Sequence, residues 1–274
     1  MLTQTTGKWH GAVVALICGS LILLVSLGIR HAFGLFLQPV TMDQGWGRET
    51  FAFAIALQNL VWGFSQPFMG MLSDRFGARP VVASGALLYG LGLWVMSQVA
   101  GEVVFIFGAG VLIGLGLSGT TFPVIFGAIS RLVAPKQRSF AMGITMSVGS
   151  FGQFAMLPIS LGLITGLEWQ SALIVLSILA ILMFPLAFGI RSASPSTFSA
   201  EEDVSFTQAL RDAFGLRDFW LLSLGFFACG FQVVFIAVHL PAFLMDKGVG
   251  DGVAMTVLAL IGLVNIAGTY YAGL

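Results

Sequence analysis

Long apolar runs separated by short polar loops are the main pattern along this chain of 274 residues. A bilayer core about 30 Å thick needs roughly 20 apolar residues for each helix that crosses it. On that measure the runs predict about eight membrane helices, numbered here as segments 1 to 8, at 11–37, 51–72, 80–100, 103–130, 140–166, 169–190, 219–244 and 252–274. The sequence therefore predicts an all-α polytopic membrane protein.

The composition agrees with that pattern. Apolar residues make up 57% of the chain and charged residues only 9%, whereas charged residues are about a quarter of a soluble domain. Too few polar residues are present to cover a water-facing surface. Soluble, disordered and nucleic-acid-binding proteins are therefore excluded, and the lipid bilayer is the expected surrounding.

The few basic residues indicate the orientation. If the N-terminus is cytoplasmic, nine of them fall on the inner side, only Arg48 and Lys247 fall on the outer side, and Arg30 lies within segment 1. Basic residues concentrate in cytoplasmic loops. We therefore expect a cell (inner) membrane protein with its N-terminus inside. The nine inner residues are Lys8, Arg75, Arg79, Arg131, Lys136, Arg138, Arg191, Arg211 and Arg217.

The longest polar stretch suggests a boundary between two bundles. We expect a six-helix bundle at 1–190, a cytoplasmic loop at 191–218 and the start of a second bundle at 219–274. Within the loop, Ser199 and Glu202 have the spacing of a capping box. The apolar positions that follow predict either a short amphipathic helix on the inner surface or a solvated linker; they are Val204, Phe206, Leu210 and Phe214.

An internal repeat supports the two-bundle plan. A shift of 203 positions places Met42 and Asp43 on Met245 and Asp246, and it aligns three glycine pairs, which are Gly45 with Gly248, Gly47 with Gly250, and Gly70 with Gly273. Segments 7 and 8 then repeat segments 1 and 2, as in transporters built from two parallel halves. Equal halves would need about four more helices, so we expect a C-terminally truncated chain.

The loop after segment 2 has an unusual spacing of glycine and charge, with Gly70, Asp74, Arg75, Gly77 and Arg79 in one short stretch. Gly77 can adopt a positive φ in the turn, and Asp74 can pair with Arg79 or lie near a helix N-terminus. We expect a latch that opens and closes during a gating movement. The alternative is a plain inner turn, which explains the arginines but not the glycine and aspartate spacing.

This loop resembles the signature G-x-L-a-D-r-x-G-r of the major facilitator superfamily, with Ala78 at one usual basic position. The resemblance implies a fold of six plus six helices that works as a transporter. Residues 33–39, 45–48 and 58–59 resemble bacterial relatives of the monocarboxylate porters and oxalate/formate antiporters. That finer resemblance implies an organic anion as substrate, carried with a proton or in exchange.

Arg30 is the one charge well inside a segment, about 10 Å beyond the midplane at 1.5 Å per residue. Charges within the membrane usually face a cavity or a partner, so Arg30 is a candidate for binding a substrate carboxylate. The alternative is an interface arginine whose head reaches the polar region. His31 projects about 100° away on the helix and is a candidate for proton coupling or for packing.

Further polar residues in the segments are candidates for the substrate pathway. Gln58 and Asn59 lie on segment 2, Gln153 on segment 5, Gln232 on segment 7 at the depth of Arg30, and His239 at the outer end of segment 7. Many of the polar residues on segments 2 and 5 could instead only join neighbouring helices, and His239 could be an interface histidine.

Segment 8 departs from the resembled families, which often carry a charge there. Its polar residues are all uncharged, namely Asn265, Thr269, Tyr270 and Tyr271.

These observations predict a secondary transporter of a small organic anion by alternating access. No cofactor or metal is expected, and no phosphate-binding loop or catalytic constellation that would indicate an enzyme is present in the sequence. Two alternatives remain: a transporter of another small solute, and a sensor or inactive remnant that keeps the fold without transport.

Overall fold

The computed structural model describes residues 2–98, 101–190, 206–249 and 251–273, and every regular element within them is a helix. The capping box at Ser199 and Glu202, Val204 and Arg191 lie outside the described residues. The helix Phe206–Gly215 is formed, in agreement with the short helix that the apolar spacing predicts.

Segments 1 to 3 form where the apolar runs predict them. Segment 1 begins as the helix Leu2–His31, tightens into a 3₁₀ turn at Ala32–Phe36, and continues as Leu37–Gln44. Segment 2 is the helix Arg48–Phe76 and segment 3 is Ala78–Ser97.

Segment 4 is interrupted twice, which affects the candidate site described below. A π-helical turn and a break at Thr121, where φ is −118° and ψ is −155°, divide it. A proline near the start of the last piece favours a new helix there. Its parts are Glu102–Ile106, Phe107–Leu112, Ile113–Thr120 and Phe122–Leu132.

Segments 5 and 6 occupy the stretch Arg138–Ile181, which is helical except at Glu168, where φ is 67° and ψ is 158°. That residue reverses the chain, and Met183–Ala187 then completes segment 6. Segment 7 is Arg217–Asp246 and segment 8 is Asp251–Gly273. The eight predicted helices are therefore confirmed.

Within the described residues, five helical stretches are long and apolar enough to cross a membrane, and one of them, Pro135–Ala187, spans 53 residues and contains both segments 5 and 6. Segment 8 contributes a shorter apolar stretch, Thr256–Gly268. The chain is a multi-pass membrane protein.

Glycines let particular helices approach closely. A Cβ on Gly28 of segment 1 would lie 2.7 Å from the Gly152 carbonyl oxygen of segment 5, and a Cβ on Gly152 would overlap the Leu24 carbonyl. A Cβ on Gly110 would lie 2.8 Å from the Leu57 side chain, and a Cβ on Gly114 would lie 2.9 Å from the Gln58 carbonyl oxygen, both on segment 2. Backbones this close gain packing contacts that larger side chains would prevent.

The predicted repeat is visible in the outer loops. Gly45 and Gly248 both have positive φ, at 65° and 74°. The Trp46 N–H donates to the Thr41 carbonyl at 3.1 Å, and the Val249 N–H donates to the Leu244 carbonyl at 2.9 Å. Val249 and Leu244 lie 203 positions after Trp46 and Thr41, so the two helices end in the same backbone turn.

We predict that Gly152→Ala lowers the free energy of unfolding by about 1–3 kcal/mol, because the added methyl group overlaps the Leu24 carbonyl. Thermal unfolding in detergent measures the change. Gly162→Ala is the matched control, since it lies on the same helix and its added Cβ meets nothing within 4 Å. Equal melting temperatures for the two variants would contradict the close contact between segments 1 and 5.

Candidate functional site

Arg30 lies near the outer end of the first helix of segment 1 and is half-buried. Its Nη2 donates to Asn59 Oδ1 at 2.5 Å, and its Cζ lies 4.6 Å from the ring centroid of Trp62. Within the described part of the chain, the ion pairs join other residues, so no carboxylate neutralises Arg30. Its Nε is buried without a hydrogen-bond partner.

The two residues that contact Arg30 are themselves fixed by hydrogen bonds. Asn59 Nδ2 donates to the Ile55 carbonyl at 2.7 Å, which leaves its Oδ1 facing the guanidinium. Trp62 Nε1 donates to Thr121 Oγ1 at 3.0 Å, at the break in segment 4. The Thr121 hydroxyl in turn donates to the Leu117 carbonyl at 2.6 Å.

Sequence reasoning missed Trp62. It lies three residues after Asn59 and so shares a helix face with it. That spacing was a usable signal, although nothing in the sequence alone places this face of segment 2 opposite Arg30.

A buried polar network holds segment 1 one turn below Arg30. Ser26 Oγ donates to Thr120 Oγ1 at 2.9 Å, and the Tyr89 hydroxyl donates to the Ser26 carbonyl at 3.0 Å. All three residues are buried, and such bonds between helices replace the water that is missing in a membrane. The network joins segments 1, 3 and 4 and sets the height of Arg30.

His31 faces a different surface from Arg30, as its position on the helix predicts. It is 4% exposed and makes a backbone hydrogen bond with Leu258 of segment 8. Its Nε2 is buried without a partner among the described residues. His31 therefore lies at a contact between the first bundle and segment 8.

The other predicted site residues are distributed around the bundle. Gln58 is buried, and its Nε2 donates to the Ala109 carbonyl at 2.8 Å, so it joins segments 2 and 4. Gln153 is half-buried and Gln232 is exposed. The ring of His239 lies 5.1 Å from that of Phe235 on the same helix.

Within the described residues, the hydrogen bond that Arg30 donates goes to Asn59. Asn59 lies on segment 2, whereas Gln232 lies on segment 7.

The inner loop after segment 2 forms an ion pair, but with a different partner from the one predicted. Asp74 pairs with Arg131 at the end of segment 4, whereas Arg79 Nε donates to the Ile190 carbonyl at 3.3 Å. Gly77, with φ 90° and ψ 157°, begins a new helix at once and directs Arg79 to segment 6. The loop thus ties segments 2, 4 and 6 within the first bundle.

The remaining residues of that loop have local contacts. Arg75 lies over the Phe76 ring at 5.4 Å. Gly70 has Pro123 of segment 4 as its nearest neighbour, 3.8 Å from where a Cβ would lie.

An ion pair joins the start of segment 2 to the end of segment 7. Arg48 Nη1 and Nη2 donate to the two carboxylate oxygens of Asp246 at 2.7 and 2.8 Å. The Asp246 carboxylate raises the pKa of Arg48. Asp43, which the repeat places on Asp246, instead accepts from Trp169 Nε1 and Gln170 Nε2, each at 3.2 Å.

A family model described as the Major Facilitator Superfamily matches residues 11–274. The chain belongs to this superfamily. The solved structure of a D-xylose-proton symporter shares the fold, with a TM-score of 0.54 at 16% identity over 95% of this chain and 66% of that chain. The prediction from the loop after segment 2 is therefore confirmed, and so is the major facilitator fold.

Among curated relatives, monocarboxylate transporter 13 of Bos taurus is 26% identical over 90% of this chain. The oxalate:formate antiporter of Oxalobacter formigenes is 23% identical over 96% of it. The chain spans 57% and 62% of the lengths of these two relatives. The predicted resemblance to that group is confirmed, and the names agree with a transporter rather than an enzyme.

We predict that Asp74→Asn slows maximal transport by roughly 2- to 5-fold, because it removes one partly exposed ion pair between segments 2 and 4. Initial rates in proteoliposomes measure the effect. Asp212→Asn, on the exposed helix between the bundles, is the control and should transport at the wild-type rate. A changed order of competing substrates in Asp74→Asn would contradict a gating role for this loop.

Proposed function

We propose that this chain forms part of a secondary transporter that carries a small organic carboxylate by alternating access. The observation that carries the proposal is Arg30, a half-buried cation within a membrane helix whose Nε has no partner and which no described carboxylate neutralises. A guanidinium has five N–H donors in a planar fork that matches a carboxylate. The names of the relatives, a monocarboxylate transporter and an oxalate:formate antiporter, support the same substrate class.

The surroundings of Arg30 favour a binding role over an interface role. An arginine that reaches the polar headgroups needs a helix end close by. Beyond Arg30, however, the 3₁₀ turn Ala32–Phe36 contains four buried residues, and segment 1 continues to Gln44. A charge at such a position is costly unless it serves a cavity or a partner, and a substrate anion would supply that partner.

The two bundles at 1–190 and 219–274, with the loop 191–218 between them, would move against each other around this site. We place the chain in the inner membrane with its N-terminus in the cytoplasm. Asp74 and Arg131 would then lie at the cytoplasmic face, and Arg48 and Asp246 at the outer face.

Proton coupling is assigned to His31. It is a buried titratable side chain next to Arg30 in the chain, and it bonds to Leu258 of segment 8, in the proposed second bundle. Histidine is the side chain whose charge most readily changes near neutral pH. Binding of an anion at Arg30 would offset the neighbouring positive charge and so favour protonation of His31.

The substrate prediction is tested with the complete gene product that carries this sequence, reconstituted in proteoliposomes with labelled formate, acetate, lactate, oxalate or succinate. Arg30→Ala should reduce uptake of the best carboxylate by roughly 100-fold or more, because two charge-assisted hydrogen bonds are lost. Arg30→Lys should retain part of the activity, since it keeps the charge and loses the fork.

Arg211→Ala is the matched control, because Arg211 is exposed on the helix Phe206–Gly215, and it should transport normally. Unchanged uptake by Arg30→Ala would overturn the anion site. Uptake of none of the five carboxylates by the wild-type protein would instead favour another solute or a non-transporting protein.

We predict that an acidic exterior accelerates carboxylate uptake and that His31→Gln abolishes this acceleration while preserving carboxylate exchange at equal pH. Glutamine keeps a donor for the Leu258 carbonyl but cannot titrate. Uptake measured with and without an imposed pH gradient checks the prediction. If His31→Gln keeps the full acceleration, proton coupling belongs to another residue.

A further inference from the structure

We propose that Trp62 is the positioning residue that orients the Arg30 guanidinium and so makes the site selective for planar carboxylates over tetrahedral anions. This inference rests on the proposed function, since it presupposes that Arg30 binds the anion. Trp62 acts through Arg30, and its own position depends on the break in segment 4.

The geometry restrains the guanidinium in two independent ways. The Arg30 Cζ lies 4.6 Å from the centroid of the Trp62 ring, and this cation–π contact restricts the tilt of the guanidinium plane. The bond from Nη2 to Asn59 Oδ1 at 2.5 Å fixes its rotation within that plane. An arginine side chain otherwise has several rotatable bonds, and an unrestrained one loses conformational entropy when it binds.

The indole is itself held in place, which an ordinary packed tryptophan would not require. Its Nε1 donates to Thr121 Oγ1 at 3.0 Å, and its ring lies 6.2 Å from that of Phe122. Both partners lie at the break between the helices Ile113–Thr120 and Phe122–Leu132. The interruption of segment 4 therefore helps to position Trp62, because it places the Thr121 hydroxyl at the edge of the indole.

A guanidinium with a fixed plane selects ligands by shape. The indole lies 4.6 Å from the guanidinium carbon, Nη2 is bonded to Asn59, and Nε, at an edge of the guanidinium plane, has no partner. A carboxylate is planar and can meet that edge with both oxygens in the plane. A sulfonate directs one of its three oxygens out of the plane, where no guanidinium donor lies, and should fit less well.

The test measures uptake of the best labelled carboxylate from the panel above, with acetate and methanesulfonate as competitors. Trp62→Leu should raise KM about 3- to 30-fold, the range expected for a partly desolvated cation–π contact, with little change in the maximal rate. It should also narrow the difference between the inhibition constants of acetate and methanesulfonate. Trp94→Phe is the matched control, because Trp94 is 48% exposed on segment 3.

Two milder variants test the chain of contacts without removing a large side chain. Trp62→Phe keeps an aromatic face and loses the indole N–H, and Thr121→Val removes the acceptor at nearly the same volume. Each should raise KM about 2- to 10-fold, as expected for the loss of one hydrogen bond. The double variant should raise KM no more than the larger of the two single changes does, since both changes break the same hydrogen bond.

Coupling to Arg30 distinguishes positioning from general packing. In an Arg30→Lys background, Trp62→Phe should have a much smaller effect on KM, because an ammonium group has no plane to orient. If Trp62→Phe raises KM by the same factor in the Arg30→Lys background as in the wild type, the inference is overturned while Arg30 remains the anion site. An unchanged KM in both Trp62→Phe and Thr121→Val would overturn it in the same way. Normal uptake by Arg30→Ala would overturn the proposed function itself.

Discussion

A guanidinium inside a membrane without a counter-charge is the constraint on which the arrangement of segments 1, 2 and 4 depends. A charge at that depth is expensive, and the protein does not neutralise it with an acidic side chain among the described residues. It uses instead an amide oxygen and an aromatic face, which stabilise the cation while leaving its charge available. Such a site is polar enough to tolerate Arg30, and under the proposed function the substrate anion would complete it.

The supporting structure is rigid because the helices around Arg30 are close-packed and hydrogen-bonded below it. Gly28 and Gly152 bring segments 1 and 5 together, and Ser26, Thr120 and Tyr89 join segments 1, 3 and 4. These contacts hold the helices that place Arg30 4.6 Å from the Trp62 ring.

Much of this could be predicted from the sequence, because the membrane imposes a fixed helix length and each segment of suitable length became a helix. Arg30 and Asn59 were found because polar groups are conspicuous in apolar runs. Trp62 was not, since an aromatic residue in a membrane helix is unremarkable until its neighbours are known. The partner of Asp74 also escaped prediction, because Arg131 is 57 positions away and only the packing of segments 2 and 4 brings it near.

The duplicated outer loops have the same backbone turn and different attachments. Asp246 reaches across to Arg48, whereas its counterpart Asp43 is bonded to segment 6 of its own bundle. A symmetric pair of loops would form two bridges, one on each side of the axis between the halves. The repeat places Asp251 at the position that corresponds to Arg48, so the sequence offers no arginine there for a second bridge. Because the bridge between Arg48 and Asp246 is about half exposed to solvent, its strength should fall as the salt concentration around it rises.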